Sequence, residues 1–130
     1  MSFETAIAIY ALITLVLLGN EIMFTYATQG FAFGFSSNRP AIEKSPLGLR
    51  IERTYRNQAE SAAYILPALV LGALSGLQTP GLQTAALVIV LGRALFAVLY
   101  YTGLPLARVL GFVMGSFGSL YVIIALLLTI

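Results

Sequence analysis

Cysteine, histidine and aspartate are all missing from the 130 residues of this chain. Without cysteine there is no disulfide framework, and any thiol that takes part in chemistry must arrive with a substrate or cofactor. Without cysteine, histidine or aspartate, most of the usual metal ligands are gone, so no metal site is expected. The commonest general base is gone too. Charge is scarce: only 9% of residues carry one, against about 25% in a soluble domain. The net charge of +2 comes with no long basic run, so a nucleic-acid partner is not expected.

What remains is apolar. Hydrophobic residues make up 59% of the chain, and the mean hydropathy is +0.94, which identifies an integral membrane protein. A spanning helix needs roughly 20 apolar residues, and the pattern predicts four, over about 3–28, 48–76, 82–101 and 105–130. They occupy nearly the whole chain as a single integral membrane domain. The segment Met1-Ser2-Phe3-Glu4 has no basic region, and no small-x-small cleavage site follows the apolar run, so the first helix is expected to be retained.

Between the first two helices, Gln29 to Leu47 reads as the one substantial loop, rich in Gly30, Gly34, Ser36, Ser37, Asn38, Pro40 and Pro46. Gln78-Thr79-Pro80-Gly81 and Thr102-Gly103-Leu104-Pro105 read as tight connectors, which make successive helices antiparallel neighbours. The expected fold is all-α, an antiparallel bundle of four transmembrane helices. Arg39, Lys44 and Arg50 mark the first connector and Arg108 the third, so both are expected on the cytoplasmic side.

Five of the charged residues fall between positions 50 and 60. With Arg53 at zero and a step of about 100° per residue, Asn57, Glu60, Tyr64, Arg50 and Arg56 all lie within about 60° of it. Glu52 precedes Arg56 by four residues, the favourable order for a helical ion pair. At ~1.5 Å per residue, Asn57 and Glu60 sit roughly 14–18 Å into the second helix, level with Glu21, Arg93 and Arg108 of the other three. An ionised group at such depth is a functional candidate by default.

Plainer readings stand beside this one. Arg50 and Arg56 suit the solvated end of a long helix. Arg93 suits a structural ion pair with Glu60 or Glu21. Tyr101 suits an interfacial aromatic, and Gly111-x-x-x-Gly115 with Gly118 suits helix packing.

The run Arg50-x-x-Arg53-x-x-Arg56-Asn57-x-x-Glu60 resembles the second-helix signature of the MAPEG superfamily, the membrane-associated proteins in eicosanoid and glutathione metabolism. Ile51-Glu52-Arg53-Thr54-Tyr55-Arg56-Asn57 is especially close to it. Gly92-Arg93, Tyr100, Gly103-x-Pro105 and Arg108 resemble the family's third and fourth helices. The first loop is similar to that of short bacterial members, whose place is the inner membrane.

The resemblance implies a homotrimer that takes glutathione as co-substrate at each subunit interface. Arg53, Arg56, Asn57 and Glu60 would bind the peptide, and Arg93 and Tyr100 would complete the site. Arg108 would be the catalytic residue that stabilises the thiolate. The implied activity is that of a transferase or peroxidase whose lipophilic substrate arrives from among the membrane lipids.

The chain departs from the pattern in places. Val109 and Phe112 carry no hydroxyl where some branches use one. The proline after the glutamate comes late, at Pro67, and the first helix lacks an arginine that some members have. Two alternatives therefore stay open: a non-catalytic lipid-binding member of the fold, and a small proton-coupled multidrug exporter built on Glu21.

Overall fold

The computed structural model describes residues 1–130, the side chain of Ala107 excepted. It is all helix and connector: α1 (Phe3–Gln29), α2 (Phe31–Phe35), α3 (Pro46–Ser75), α4 (Pro80–Thr102) and α5 (Ala107–Leu127). Helix starts follow local chemistry. Ser2, Ser45 and Thr79 each accept a hydrogen bond from a first-turn backbone N–H, at 3.1, 3.1 and 3.2 Å. Pro46 and Pro80 occupy first-turn positions, where the missing N–H costs nothing. These proline starts put α3 and α4 two residues ahead of the expected positions 48 and 82. Gly76 and Gly103 end α3 and α4 at φ 69° and 75°, a left-handed cap that glycine adopts without strain.

The first loop holds an element the sequence reading did not anticipate. Gly30, at φ 84°, breaks α1, and the chain then coils for five more residues as α2. The cause is aromatic packing: the rings of Phe31 and Phe35 sit 5.3 and 5.5 Å from that of Tyr26. Gly34 lies under the same Tyr26 ring, where any side chain would collide. A glycine read as a breaker is here a close-packing residue inside a short helix.

The four long helices alternate in direction. At one end the Met1 ammonium donates to the Gln83 carbonyl (3.4 Å), and Phe3 packs on Gly72. At the other, Arg50 at the start of α3 donates to the carbonyl of Tyr101 near the end of α4 (3.2 Å). α3 and α4 touch each other and both remaining long helices, whereas α1 and α5 lie on opposite sides of that pair. The apolar core fills the end away from the charged segment, around Phe3, Tyr10, Ile65, Leu69, Leu82, Ile89 and Val122.

Three helices are long and apolar enough to cross a membrane: α1, α4 and Arg108–Leu127 of α5. α3 has the length, at 30 residues, but the charges of its first half set it apart in composition. Much apolar surface faces outward, including Leu15, Leu74, Val98 and Phe117, which suits lipid rather than water.

The tightest crossing is between α4 and α5. A Cβ on Gly111 would lie 2.6 Å from both the Gly92 oxygen and the Phe96 nitrogen. These are backbone atoms and have no way to turn aside. Gly111→Ala is therefore expected to force the two helices apart at a cost of about 1–3 kcal/mol, read as a lower melting temperature in detergent. Gly19→Ala, where the added carbon meets open space, is expected to leave it unchanged or slightly higher.

Candidate functional site

The charged face of α3 lies against the far ends of α4 and α5 and leaves a cleft of about 330 Å³. Its walls are Arg53, Arg56, Asn57 and Glu60 from α3, Phe96 and Tyr100 from α4, and Arg108, Val109 and Phe112 from α5. Six of the seven site residues expected from sequence thus meet around one hollow. Three guanidinium groups and one carboxylate face it, so the cleft is cationic. The Arg108 guanidinium lies over the Tyr100 ring at 5.0 Å, and the Tyr100 and Phe96 rings sit 5.4 Å apart. Cation and aromatic thereby fix each other at the mouth.

The seventh residue, Arg93, is not on the wall. It is fully buried, at 0% exposure, behind Asn57 and Phe96. Its Nε donates to Gln58 Oε1 (2.9 Å) and its Nη2 to Asn57 Oδ1 (2.8 Å), and its charge lies 4.6 Å from the Phe96 ring centre. Nη1 is buried with no partner among the described residues. Gly115 makes the room: a Cβ there would lie 3.1 Å from Arg93 Cδ. The glycine pair of α5 is thus packing in service of the site.

Arg93 therefore lies one layer behind the cleft wall in this chain. Its guanidinium forms no ion pair with Glu60 or Glu21, the two suggested from sequence. Among the described residues the ion pairs are Lys44–Glu52 and Arg56–Glu52, both at 2.9 Å. The Lys44 ammonium donates a hydrogen bond to Glu52 near the start of α3.

Arg50 also leaves the stripe. Its guanidinium turns to the Tyr101 carbonyl and packs on Gly103, tying α3 to the end of α4. Glu21 lies across the stripe from the cleft, on a second hollow of about 450 Å³ with Glu52, Tyr55, Arg56 and Glu60. Tyr101 meets the Asn20 amide at 3.4 Å.

Sequence reasoning missed Gln58, which lies about 140° around the helix from Arg53 at 100° per residue. It is fully buried and links three helices. Its side-chain nitrogen donates to Thr14 Oγ1 (3.0 Å), its side-chain oxygen accepts from Arg93, and its carbonyl accepts from the Tyr10 hydroxyl (2.6 Å). The available signal was an amide on the face of α3 that the charged stripe leaves apolar. Gln58→Leu fills the space but strands the Arg93 Nε donor and removes the bond that Thr14 Oγ1 accepts, leaving the Thr14 hydroxyl only its bond to the Tyr10 carbonyl. We expect a loss of about 1–3 kcal/mol, seen as a lower melting temperature, whereas Gln83→Leu on α4 has little effect.

The model of the MAPEG family matches residues 3–128, nearly the whole chain. Neither a curated protein nor a solved structure matches it.

Proposed function

Because the chain belongs to the MAPEG family, we propose that it binds glutathione in the cleft between α3, α4 and α5 and transfers its thiolate to lipophilic electrophiles, as a transferase or peroxidase. The observation that carries this reading is the composition of the cleft: Arg53, Arg56 and Arg108 against a single Glu60, over about 330 Å³. Glutathione carries two carboxylates and one ammonium. Three guanidinium groups and one carboxylate complement that pattern.

The chemistry needs a thiolate, and the free thiol ionises only near pH 8.5. A guanidinium beside the sulfur favours the anion and so generates the nucleophile at neutral pH. Arg108 is the group assigned to this role. It stands at the α5 end of the cleft, beside the apolar Val109 and Phe112 through which a lipid-soluble partner would enter. The thiolate attacks the electrophilic carbon, the bond to the leaving group breaks, and the leaving group departs with its electron pair. With a hydroperoxide the thiolate attacks the terminal oxygen, the O–O bond breaks and the alkoxide leaves, taking a proton to become the alcohol. A second glutathione thiol then displaces water from the sulfenic acid to close the disulfide.

In this reading all four long helices cross a bacterial inner membrane, with the first and third connectors on the cytoplasmic side. The chain works as a homotrimer. Arg53, Arg56 and Glu60 are exposed on the isolated chain, and charge facing lipid costs several kcal/mol. A second subunit over the stripe removes that cost and closes the cleft.

A second reading, a lipid-binding protein without turnover, draws on the absence of a hydroxyl at Val109 and Phe112, both on the wall. Conjugation of glutathione to 1-chloro-2,4-dinitrobenzene by the detergent-purified protein separates the two. The transferase reading predicts turnover that Arg53→Ala and Glu60→Ala abolish through lost glutathione affinity. It also predicts that Arg108→Ala retains binding but shifts its pH–rate profile to higher pH. Absence of turnover in the unmodified protein would favour the lipid-binding reading.

A further inference from the structure

Arginine has five N–H donors and no acceptor, so any amide it meets must turn its oxygen toward it. Arg93 meets two, Asn57 through Nη2 at 2.8 Å and Gln58 through Nε at 2.9 Å. Asn57 stands on the wall of the cleft and Arg93 behind it. With its oxygen turned to the buried guanidinium, Asn57 presents its amide N–H groups to a ligand. Gln58 is held in the same sense, and its N–H groups are committed to Thr14 on α1 at 3.0 Å.

The Arg93 side chain is itself wedged: Phe96 covers its charge at 4.6 Å, and Gly115 admits its Cδ. No carboxylate forms an ion pair with Arg93 among the described residues, and its Nη1 has no partner there. The buried guanidinium is therefore held rigidly but left uncompensated. Its field lies behind Asn57, the one of its two amides that stands on the cleft wall.

From this arrangement we infer that Arg93 is a positioning residue that never touches the ligand: it locks Asn57 as a hydrogen-bond donor, so the ligand must present an acceptor oxygen, a carboxylate or peptide carbonyl, at that point of the cleft. The inference rests on the glutathione reading for the identity of the ligand, but the orientation of Asn57 does not. It also assigns Gln58 the task of holding the guanidinium without neutralising it. A carboxylate in its place would quench the charge.

Asn57→Asp tests this because the two consequences have opposite signs. The new carboxylate keeps an oxygen on Arg93 and gives the buried charge a counter-ion. The melting temperature of the ligand-free protein should rise, on the order of 2–4 °C. Its second oxygen now faces the cleft as an acceptor, so glutathione affinity, read by calorimetry and thermal shift, should fall by at least about tenfold.

A merely structural role for the pair would move stability and leave affinity alone. Asn57→Asp binding glutathione as tightly as the unmodified protein, or more tightly, would overturn the donor assignment. So would a lower melting temperature or failure to fold. Arg93→Met supplies the second arm. If Arg93 acts through Asn57, the affinity losses of Arg93→Met and Asn57→Asp are not additive in the double variant. Additive losses would overturn the positioning role. If glutathione fails to bind the unmodified protein, the ligand assignment falls alone, and the ligand-free melting temperature of Asn57→Asp still tests the contact between position 57 and Arg93: a rise supports it and a fall overturns it.

Discussion

A guanidinium sealed among apolar helices is the constraint on which the rest of this molecule depends. Arg93 is fully buried, and a buried charge that lacks its partners costs several kcal/mol. The surroundings are built to meet that demand. Two consecutive side chains of α3, Asn57 and Gln58, accept its hydrogen bonds, Phe96 gives its π face, and Gly115 of α5 leaves the space. α1 joins through Thr14 and Tyr10, which fix Gln58 by its side chain and its backbone carbonyl. A single cation thus engages all four long helices, and the polar network that holds it separates the apolar core from the cleft.

The partners chosen for Arg93 are amides, and that choice has a chemical consequence. An amide satisfies donors and adds no charge, so the interior layer stays cationic behind a wall that already carries Arg53, Arg56 and Arg108. The carboxylates of the region are divided. Glu52 is committed to Lys44 and Arg56, Glu60 faces the cleft, and Glu21 lies across the stripe. On the wall three guanidinium groups outnumber the one carboxylate of Glu60, and Glu52 pairs with Arg56 from outside the lining. This division is what an anionic peptide with one ammonium requires, and it is the physical content of the glutathione reading.

Much of this was legible in the sequence because membrane chains are strict about charge. Every ionised residue in such a chain needs a reason, so the spacing of Arg53, Asn57 and Glu60 pointed to one face, and the resemblance of that spacing to MAPEG chains led to the family whose model matches residues 3–128. The proline and glycine punctuation marked the helix ends, since these residues act through their own backbone. What stayed hidden depended on tertiary contacts. Periodicity placed Arg93 level with the stripe but could not tell a wall residue from one behind the wall. Gln58 lay off the charged face, and its role exists only because α1 brings Thr14 and Tyr10 to it. α2 escaped notice because Gly30 and Gly34 look alike in sequence; one has a left-handed backbone and the other lies beneath a tyrosine ring.

The central claim is that the cationic cleft is a glutathione site. Its most direct test is a glutathione titration of the detergent-purified protein, following heat and thermal stability together, with Arg53→Ala as the control. The account predicts saturable binding with a matching rise in melting temperature, both lost in the variant. No heat and no stabilisation at millimolar glutathione, or stabilisation that persists unchanged in Arg53→Ala, would contradict it.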